Sequence, residues 1–207
     1  MFVMYVKKVM LFIFIVFIIV SVESRGKNSL KIPDGTKKIP AYEYIDCEWI
    51  TSVTIPNSVI VIDNGAFWRC SSLTSITIPN GVQKIGETAF AFCSSLTSIT
   101  IPNSVKTIGN AAFVSCSSLT SITIPNNITI IGDRVFQNCD SLTSIEIPDS
   151  VTTISNAAFA GCDSLISITI PDSVVKLEKN AFIHCNSLSE ETKEQILQIN
   201  PDSAFTW

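Results

Sequence analysis

The sequence predicts a strand-dominated α/β solenoid: a curved parallel sheet with short helical or 3-10 returns and a C-terminal capping helix. Three columns of residues predict it. Cysteine recurs every 23 residues, at Cys47, Cys70, Cys93, Cys116, Cys139, Cys162 and Cys185. Phe67, Phe90, Phe113, Phe136, Phe159 and Phe182 keep the same step, as do Pro33, Pro56, Pro79, Pro102, Pro125, Pro148 and Pro171. A fixed period of this length with a leucine/isoleucine pattern marks a solenoid whose units bury their apolar faces only against one another.

The chain opens differently. Lys7 and Lys8 precede an apolar run over residues 9–20, and Ser21, Val22, Glu23 and Ser24 follow. A basic start, a short apolar run and small residues at a cleavage point describe a secretory signal peptide over residues 1–24. Left uncleaved, the same segment would be a membrane anchor, although a spanning helix needs about 20 apolar residues. Contact with a membrane is therefore expected only through an uncleaved N-terminal segment. The expected location is secreted or at the cell surface.

Residues 25–52 read as a degenerate capping coil. Leu30, Ile32, Pro33, Ile39, Tyr44 and Cys47 hold the columns, while Pro40 and Trp49 intrude. Residues 53–188 form the solenoid, about seven coils in all. In the unit 101–123, Leu119, Ile122 and Ile124 alternate with Ser121 and Thr123, as a strand with apolar residues inward requires. Pro125 ends that strand because it has no N–H for a ladder, and Pro102-Asn103-Ser104 turns the chain. Val105 and Ile108 come from a second extended piece. Gly109-Asn110 turns again, and Ala111-Ala112-Phe113 is expected to begin one helical or 3-10 turn. Residues 189–207 form a C-terminal cap. Ser189 before Glu190 and Glu191 is a helix start, with the acids at the positive end of the dipole. Ile196, Leu197 and Ile199 are expected to cover the open core, and Asn200-Pro201 ends the helix. Trp49 and Trp207 are expected to belong to the two caps.

The cysteines should stack in a ladder. Neighbouring coils sit about 4.8 Å apart, whereas a disulfide wants Cβ atoms about 3.8 Å apart. Buried free thiols, acting as small apolar groups and weak donors, are the expectation. Of 14 Lys+Arg and 18 Asp+Glu, cleavage after Ser24 removes Lys7, Lys8 and Glu23, leaving 12 against 17 and a formal charge of −5. No basic face emerges, so nucleic acid is not an expected partner.

The outward strand positions form a face of hydroxyls: Ser52, Thr54, Ser75, Thr77, Ser98, Thr100, Ser121, Thr123, Ser144, Glu146, Ser167 and Thr169. One reading is a solvated carpet chosen for sheet-forming preference; the other is a broad ligand face, on which Glu146 is the only charge. The varied positions between turn and cysteine are a second candidate face, with Trp68 and Arg69 its most anchor-like pair. No catalytic set is expected, because equivalent side chains repeat along a line instead of converging as unlike groups. No metal or cofactor site is expected either: there is no C-x-x-C pair, and the single histidine, His184, falls in a varied column and reads as a surface residue. Asn127-Ile128-Thr129 is a glycosylation acceptor motif, meaningful where the host modifies secreted proteins.

The unit I-P-N-S-V-x-x-I-G-x-x-A-F-x-x-C-S-S-L-T-S-I-T resembles the BspA-type, or treponemal-type, leucine-rich repeat over roughly residues 30–188. Departures are few: Val135 stands for the alanine, Ser155 and Glu178 for the glycine, and Leu177 for an isoleucine. The resemblance implies a secreted or surface protein that binds extracellular, host or cell-surface proteins, as in adhesion. A structural or self-assembling envelope component is the alternative. Glycan or ice binding through the Ser/Thr face is a third reading.

Overall fold

A computed structural model of the chain describes residues 28–200. The expected leader, residues 25–27 of the first cap and Trp207 lie outside the described residues.

Two rows of short strands run up the stack. The first comprises β1 (Ser29–Lys31), β3 (Ser52–Thr54), β5 (Ser75–Thr77), β7 (Ser98–Thr100), β9 (Ser121–Thr123), β11 (Ser144–Glu146) and β13 (Ser167–Thr169). The second comprises β2 (Lys38–Ile39), β4 (Val61–Ile62), β6 (Lys84–Ile85), β8 (Thr107–Ile108), β10 (Ile130–Ile131), β12 (Thr153–Ile154) and β14 (Lys176–Leu177). Counted from the prolines, coil 1 is residues 33–55, coil 2 56–78, coil 3 79–101, coil 4 102–124, coil 5 125–147 and coil 6 148–170. The seventh, from residue 171, runs into helix α1 (Glu190–Ile199). Pairing is parallel and in repeat register, so Ser75, Ile76 and Thr77 lie against Ser98, Ile99 and Thr100. The period thus sets the register: any other pairing would misalign every apolar column.

The core is a set of one-residue-wide columns. From Tyr44 through Phe67, Phe90, Phe113, Phe136 and Phe159 to Phe182, the rings stack with centroids 5.3 to 5.8 Å apart. The leucines from Leu73 to Leu165 are fully buried beside them. Tyr44 takes the phenylalanine position in coil 1, where its hydroxyl keeps a route to water.

The cysteines are all free and buried. Each thiol from Cys70 to Cys185 donates to the backbone carbonyl 26 residues earlier; Cys116 Sγ reaches Phe90 O at 3.2 Å and Cys185 Sγ reaches Phe159 O at 3.0 Å. That carbonyl also accepts the amide of the cysteine in its own coil, as in Cys93 N to Phe90 O at 3.3 Å. The thiol fills the second lone pair of a buried carbonyl. A sulfur of modest size that is also a weak donor meets both demands of the column.

The return differs from the helical or 3-10 turn expected at Ala111-Ala112-Phe113: it is a run of successive turns. Two residues per coil take positive φ, four apart, such as Ala111 (55°) and Ser115 (58°). A left-handed residue every fourth position interrupts a right-handed helix. The amides so freed turn outward to the next coil: Ala111, Phe113 and Ser115 donate to Asp133 O, Val135 O and Gln137 O at 2.8, 3.0 and 2.7 Å. Inter-coil bonding on this side replaces the intra-helix bonding that was expected.

Most of these left-handed positions carry side chains other than glycine. Thr88 (φ 52°) is β-branched, for which this conformation is the most costly. Thr88→Gly is expected to stabilise the protein by about 1 kcal/mol, raising Tm by about 2–4 °C in calorimetry. An unchanged or lowered Tm would show that the turn is not strained there.

Each strand row breaks once. The first row forms a five-stranded sheet, β1-β3-β5-β7-β9, and a separate pair, β11-β13; the second forms β2-β4-β6-β8 and β10-β12-β14. Both breaks fall between coils 4 and 5.

At the C-terminus, Ser189 caps α1, accepting from Thr192 N at 3.3 Å. Ile196 is fully buried and Ile199 packs against the core, but Leu197 is 41% exposed. Leu197 therefore does not cover the core as expected, because it lies one residue off the buried face of the helix. Gln195 Nε2 and Asn200 Nδ2 donate to Ile170 O and Leu177 O, each at 2.8 Å, tying the helix to coils 6 and 7.

Candidate functional site

The strand face lies where its residues' alternation requires. Thr54, Ser75, Thr77, Ser98, Thr100, Ser121, Thr123, Ser144, Glu146, Ser167 and Thr169 are exposed, and Ser52 is half-buried. The row of outward residues runs on from β9 to β11, which lie side by side. Only the backbone ladder beneath it is interrupted between Thr123 and Glu146, because β9 and β11 do not pair.

The deeper feature lies on the turn side. A groove of about 800 Å³ runs past all seven coils. One wall is the second left-handed column, which includes Asp46, Arg69, Phe92, Asn138 and His184; the other, two residues on, includes Glu48, Ser94, Asp140 and Asp163. The left-handed backbone creates it. Positive φ turns each such residue out of the stack, and the invariant buried cysteine next in sequence pulls the chain back in.

Arg69, half of the expected second face, lies in this groove near its N-terminal end. Its guanidinium sits over the Trp68 ring, 4.9 Å from the centroid, and its Nη1 lies 3.7 Å from Asp46 Oδ1. Trp68 is half-buried and meets Phe92 edge-on with centroids 6.2 Å apart. Phe92, 43% exposed, lines the groove and was not singled out from the sequence. Its signal was there: among copies holding Asp, Arg, Ser, Asn, Gly and His, one aromatic occupies a column that faces water. An aromatic pair topped by arginine is the composition that anchors protein interfaces.

Carboxylates line both parts of the groove, Asp46 and Glu48 at the N-terminal end and Asp140 and Asp163 toward the other. Burial, and then the neighbouring Asp163 charge, raise the Asp140 carboxyl above its ordinary value. Asn186 Nδ2 donates to Asp163 Oδ1 at 3.2 Å. His184 lines the C-terminal end of the groove and is exposed. Trp49 packs half-buried against the core in coil 1. Asn127 is exposed in the turn after Pro125, with Nδ2 donating to Asn103 O.

The thiols form no reactive centre. Burial raises Cys47 to about 11 and Cys139 to about 12, and lifts Cys93 and Cys116 well above the usual thiol value. Thiolate, the nucleophilic and metal-binding form, is thereby suppressed. Among the described residues no three His, Cys, Asp or Glu side chains gather as a metal site, and no helix is long and apolar enough to cross a membrane.

Stacked 23-residue coils, a two-row parallel strand core and an open groove define a leucine-rich-repeat solenoid, a fold class that is generally non-catalytic. The BspA type Leucine rich repeat region, in 6 copies, matches residues 23–143 and 129–207. The chain belongs to that family. Among solved structures it is similar to the T. pallidum leucine rich repeat protein TpLRR, at 29% identity and a TM-score of 0.82, over 86% of this chain and 85% of that one. It is also similar to a leucine-rich repeat protein of Bacteroides ovatus, at 31% identity and a TM-score of 0.73, over 75% of this chain and 40% of that longer chain. A leucine rich cell surface protein of Faecalibacterium prausnitzii matches at 29% identity and a TM-score of 0.58, over 85% of this chain and 63% of that one. No curated protein matches the sequence.

Proposed function

We propose that this chain is a non-catalytic protein-binding module, secreted or displayed at the cell surface, that recognises extracellular or host proteins as an adhesin does. The observation that carries the reading is the groove lined by Arg69 and Phe92 toward its N-terminal end, with Trp68 packed beside both. Solenoids bind large partners along extended faces, and here the exposed aromatic and guanidinium groups gather on one of them. Surface display is supported by the description of the Faecalibacterium relative as a cell surface protein. The signal peptide read over residues 1–24 supports the same placement.

The groove is favoured over the strand face because the latter carries hydroxyls almost alone. Such a surface contributes little beyond complementarity. A structural or self-assembling role without a discrete ligand is the second reading. The regular parallel stacking of like coils favours it, because a repeating surface suits side-by-side assembly.

The test is capture of matrix or host proteins on immobilised residues 25–207, with two variants beside the wild type. Arg69→Ala/Phe92→Asn empties the anchor while keeping a residue that tolerates positive φ at 92. Ser121→Lys/Thr123→Lys/Glu146→Lys alters the strand face. The expected result is a partner retained by the lysine variant and weakened at least about tenfold by the anchor variant, a loss of about 1.4 kcal/mol or more. Loss on the lysine variant alone would move the site to the strand face. No enrichment on any form would favour the structural role.

A further inference from the structure

Six interfaces join the seven coils, and five of them are built alike. Three rows of backbone hydrogen bonds cross each of the five on the strand sides. In the first, Ile60, Gln83, Lys106, Thr152 and Val175 donate to the residue one repeat earlier, at 2.8 to 3.1 Å. Gly109 N to Ile85 O at 2.9 Å represents the second, and Thr120 N to Thr97 O at 2.9 Å the third. At the interface of coils 4 and 5 all three rows lapse: the amides of Thr129, Gly132 and Thr143 do not donate to Lys106, Ile108 and Thr120. The turn side stays closed there, with Phe113 N to Val135 O at 3.0 Å.

Three other observations mark the same place. The Phe113–Phe136 ring spacing, 5.8 Å, is the longest in the aromatic column. Ile108 is half-buried while its counterparts Ile62, Ile85 and Ile154 are fully buried. A small apolar cavity of about 10 Å³ opens between the coils, lined by Ile108, Ile124, Ile128, Ile131, Val135 and Phe136.

The sequence of coil 5 supplies the cause. Ile128 stands where Val59, Val82, Val105, Val151 and Val174 stand in coils 2, 3, 4, 6 and 7, and Val135 where Ala66, Ala89, Ala112, Ala158 and Ala181 stand. Both columns are buried, so one added methylene and two added methyls must be accommodated against coil 4. Asn127, in a serine or glycine column, adds bulk at the rim. Its amide bonds Asn103 O, whereas the serine of that column in coil 4, Ser104, reaches back to Val82 O at 2.7 Å. The larger side chains displace the backbone ladder, so the strand sides are bridged by side chains, Asn126 N to Asn103 Oδ1 at 3.4 Å and Asp133 N to Asn110 Oδ1 at 3.1 Å, while the turn ladder keeps the coils joined.

We propose that the interface between coils 4 and 5 is an opening point at which the solenoid flexes, with the turn ladder as hinge and Ile128 and Val135 as wedge. In a stack coupled only between neighbours, motion concentrates at the weakest interface. Two blocks, residues 28–124 and 125–200, then move as units. Flexing changes the spacing of Thr123 and Glu146, which stand on opposite lips of the gap.

Matched label pairs on the full mature chain test this. Ser75→Cys/Ser121→Cys spans two ordinary interfaces, and Ser121→Cys/Ser167→Cys spans two that include the gap; the native thiols are buried from label. Dipolar broadening in continuous-wave spin-label spectra, suited to positions about 10 Å apart, is expected to give a clearly broader distance distribution for the second pair. Hydrogen exchange is expected to be at least about tenfold faster at Thr129, Gly132 and Thr143 than at Lys106, Gly109 and Thr120. Ile128→Val/Val135→Ala should narrow the distribution and slow that exchange. Equal widths for the two pairs, or equal exchange, would overturn the flexing interface. A variant that folds yet leaves both unchanged would overturn the wedge. Should the variant fail to fold, the wild-type label pairs decide the matter.

Discussion

Raising the pH from about 8 to about 10.5 is expected to unfold this protein, through thiols buried in its core. Six cysteines, Cys47, Cys70, Cys93, Cys116, Cys139 and Cys162, are held above the usual thiol value. Burial is the main cause for the first five, and for Cys162 the neighbouring Cys185 thiol comes first and burial second. In the unfolded chain each titrates near 8.5. Between that pH and the folded value the native state binds more protons than the unfolded one, so stability falls as pH rises. It is fully present below about 8.5 and declines through the window up to about 11 for Cys47 and about 12 for Cys139. Each thiol contributes about 1.4 kcal/mol per pH unit in that window. Six acting together exceed the 5–15 kcal/mol of a typical domain within about two units. Tyr44, raised to about 12 by burial and then by the Glu43 charge, adds in the same direction. Urea titrations at pH 8 and pH 10 would measure the slope, and Cys93→Ala/Cys116→Ala should make it shallower by about a third. A flat stability over that range would mean the thiols are not buried as described.

Phe90→Ala is the substitution expected to cost most, about 3–5 kcal/mol. Phe90 is fully buried, with ring neighbours 5.4 and 5.6 Å away on its two sides, so truncation empties a column with no flexible side chain to fill it. Stacked aromatic pairs add about 0.5–1.5 kcal/mol each beyond area buried. Coils are stabilised by their neighbours, so the loss falls on coils 2 and 4 as well as 3. Urea unfolding followed by Trp68 fluorescence, in a Trp49→Phe/Trp207→Phe background, is expected to shift to lower concentration than unfolding followed by circular dichroism, with the N-terminal block melting first. Phe182→Ala, at the last ring with one ring neighbour at 5.3 Å, should cost less. Equal losses at the two positions would contradict neighbour-carried stability.

Much of this molecule was legible because one pattern is written in it many times. The cysteine, phenylalanine and proline columns are each visible as a period, and parallel register follows from aligning like with like. The burial of the thiols followed as well, since a ladder of parallel strands spaces equivalent side chains too far apart for disulfides. The outward hydroxyls were equally plain from alternation. The groove was half legible. Trp68 and Arg69 stood out by type, but Phe92 sits one coil further on, and its meeting with Trp68 depends on how far each left-handed residue leans from the stack. The form of the return was not legible. Ala111-Ala112-Phe113 has a helical composition, and only bonding to the next coil makes left-handed residues preferable there to a helical turn.

The sequence alone determined what recurs: a solenoid, its register, its buried columns and the helix that ends it. The first three are set within one 23-residue unit and then repeated, and the helix by its own cap and acidic first turn, so local side-chain alternation and turn chemistry suffice. Only the tertiary structure decided what differs between copies. Val135 was visible as a departure in the sequence, yet whether a valine in an alanine column is absorbed or pries two coils apart depends on the space left by coil 4. That space is a property of the contact between units, where close packing leaves two extra methyl groups nowhere to go except into the gap they open.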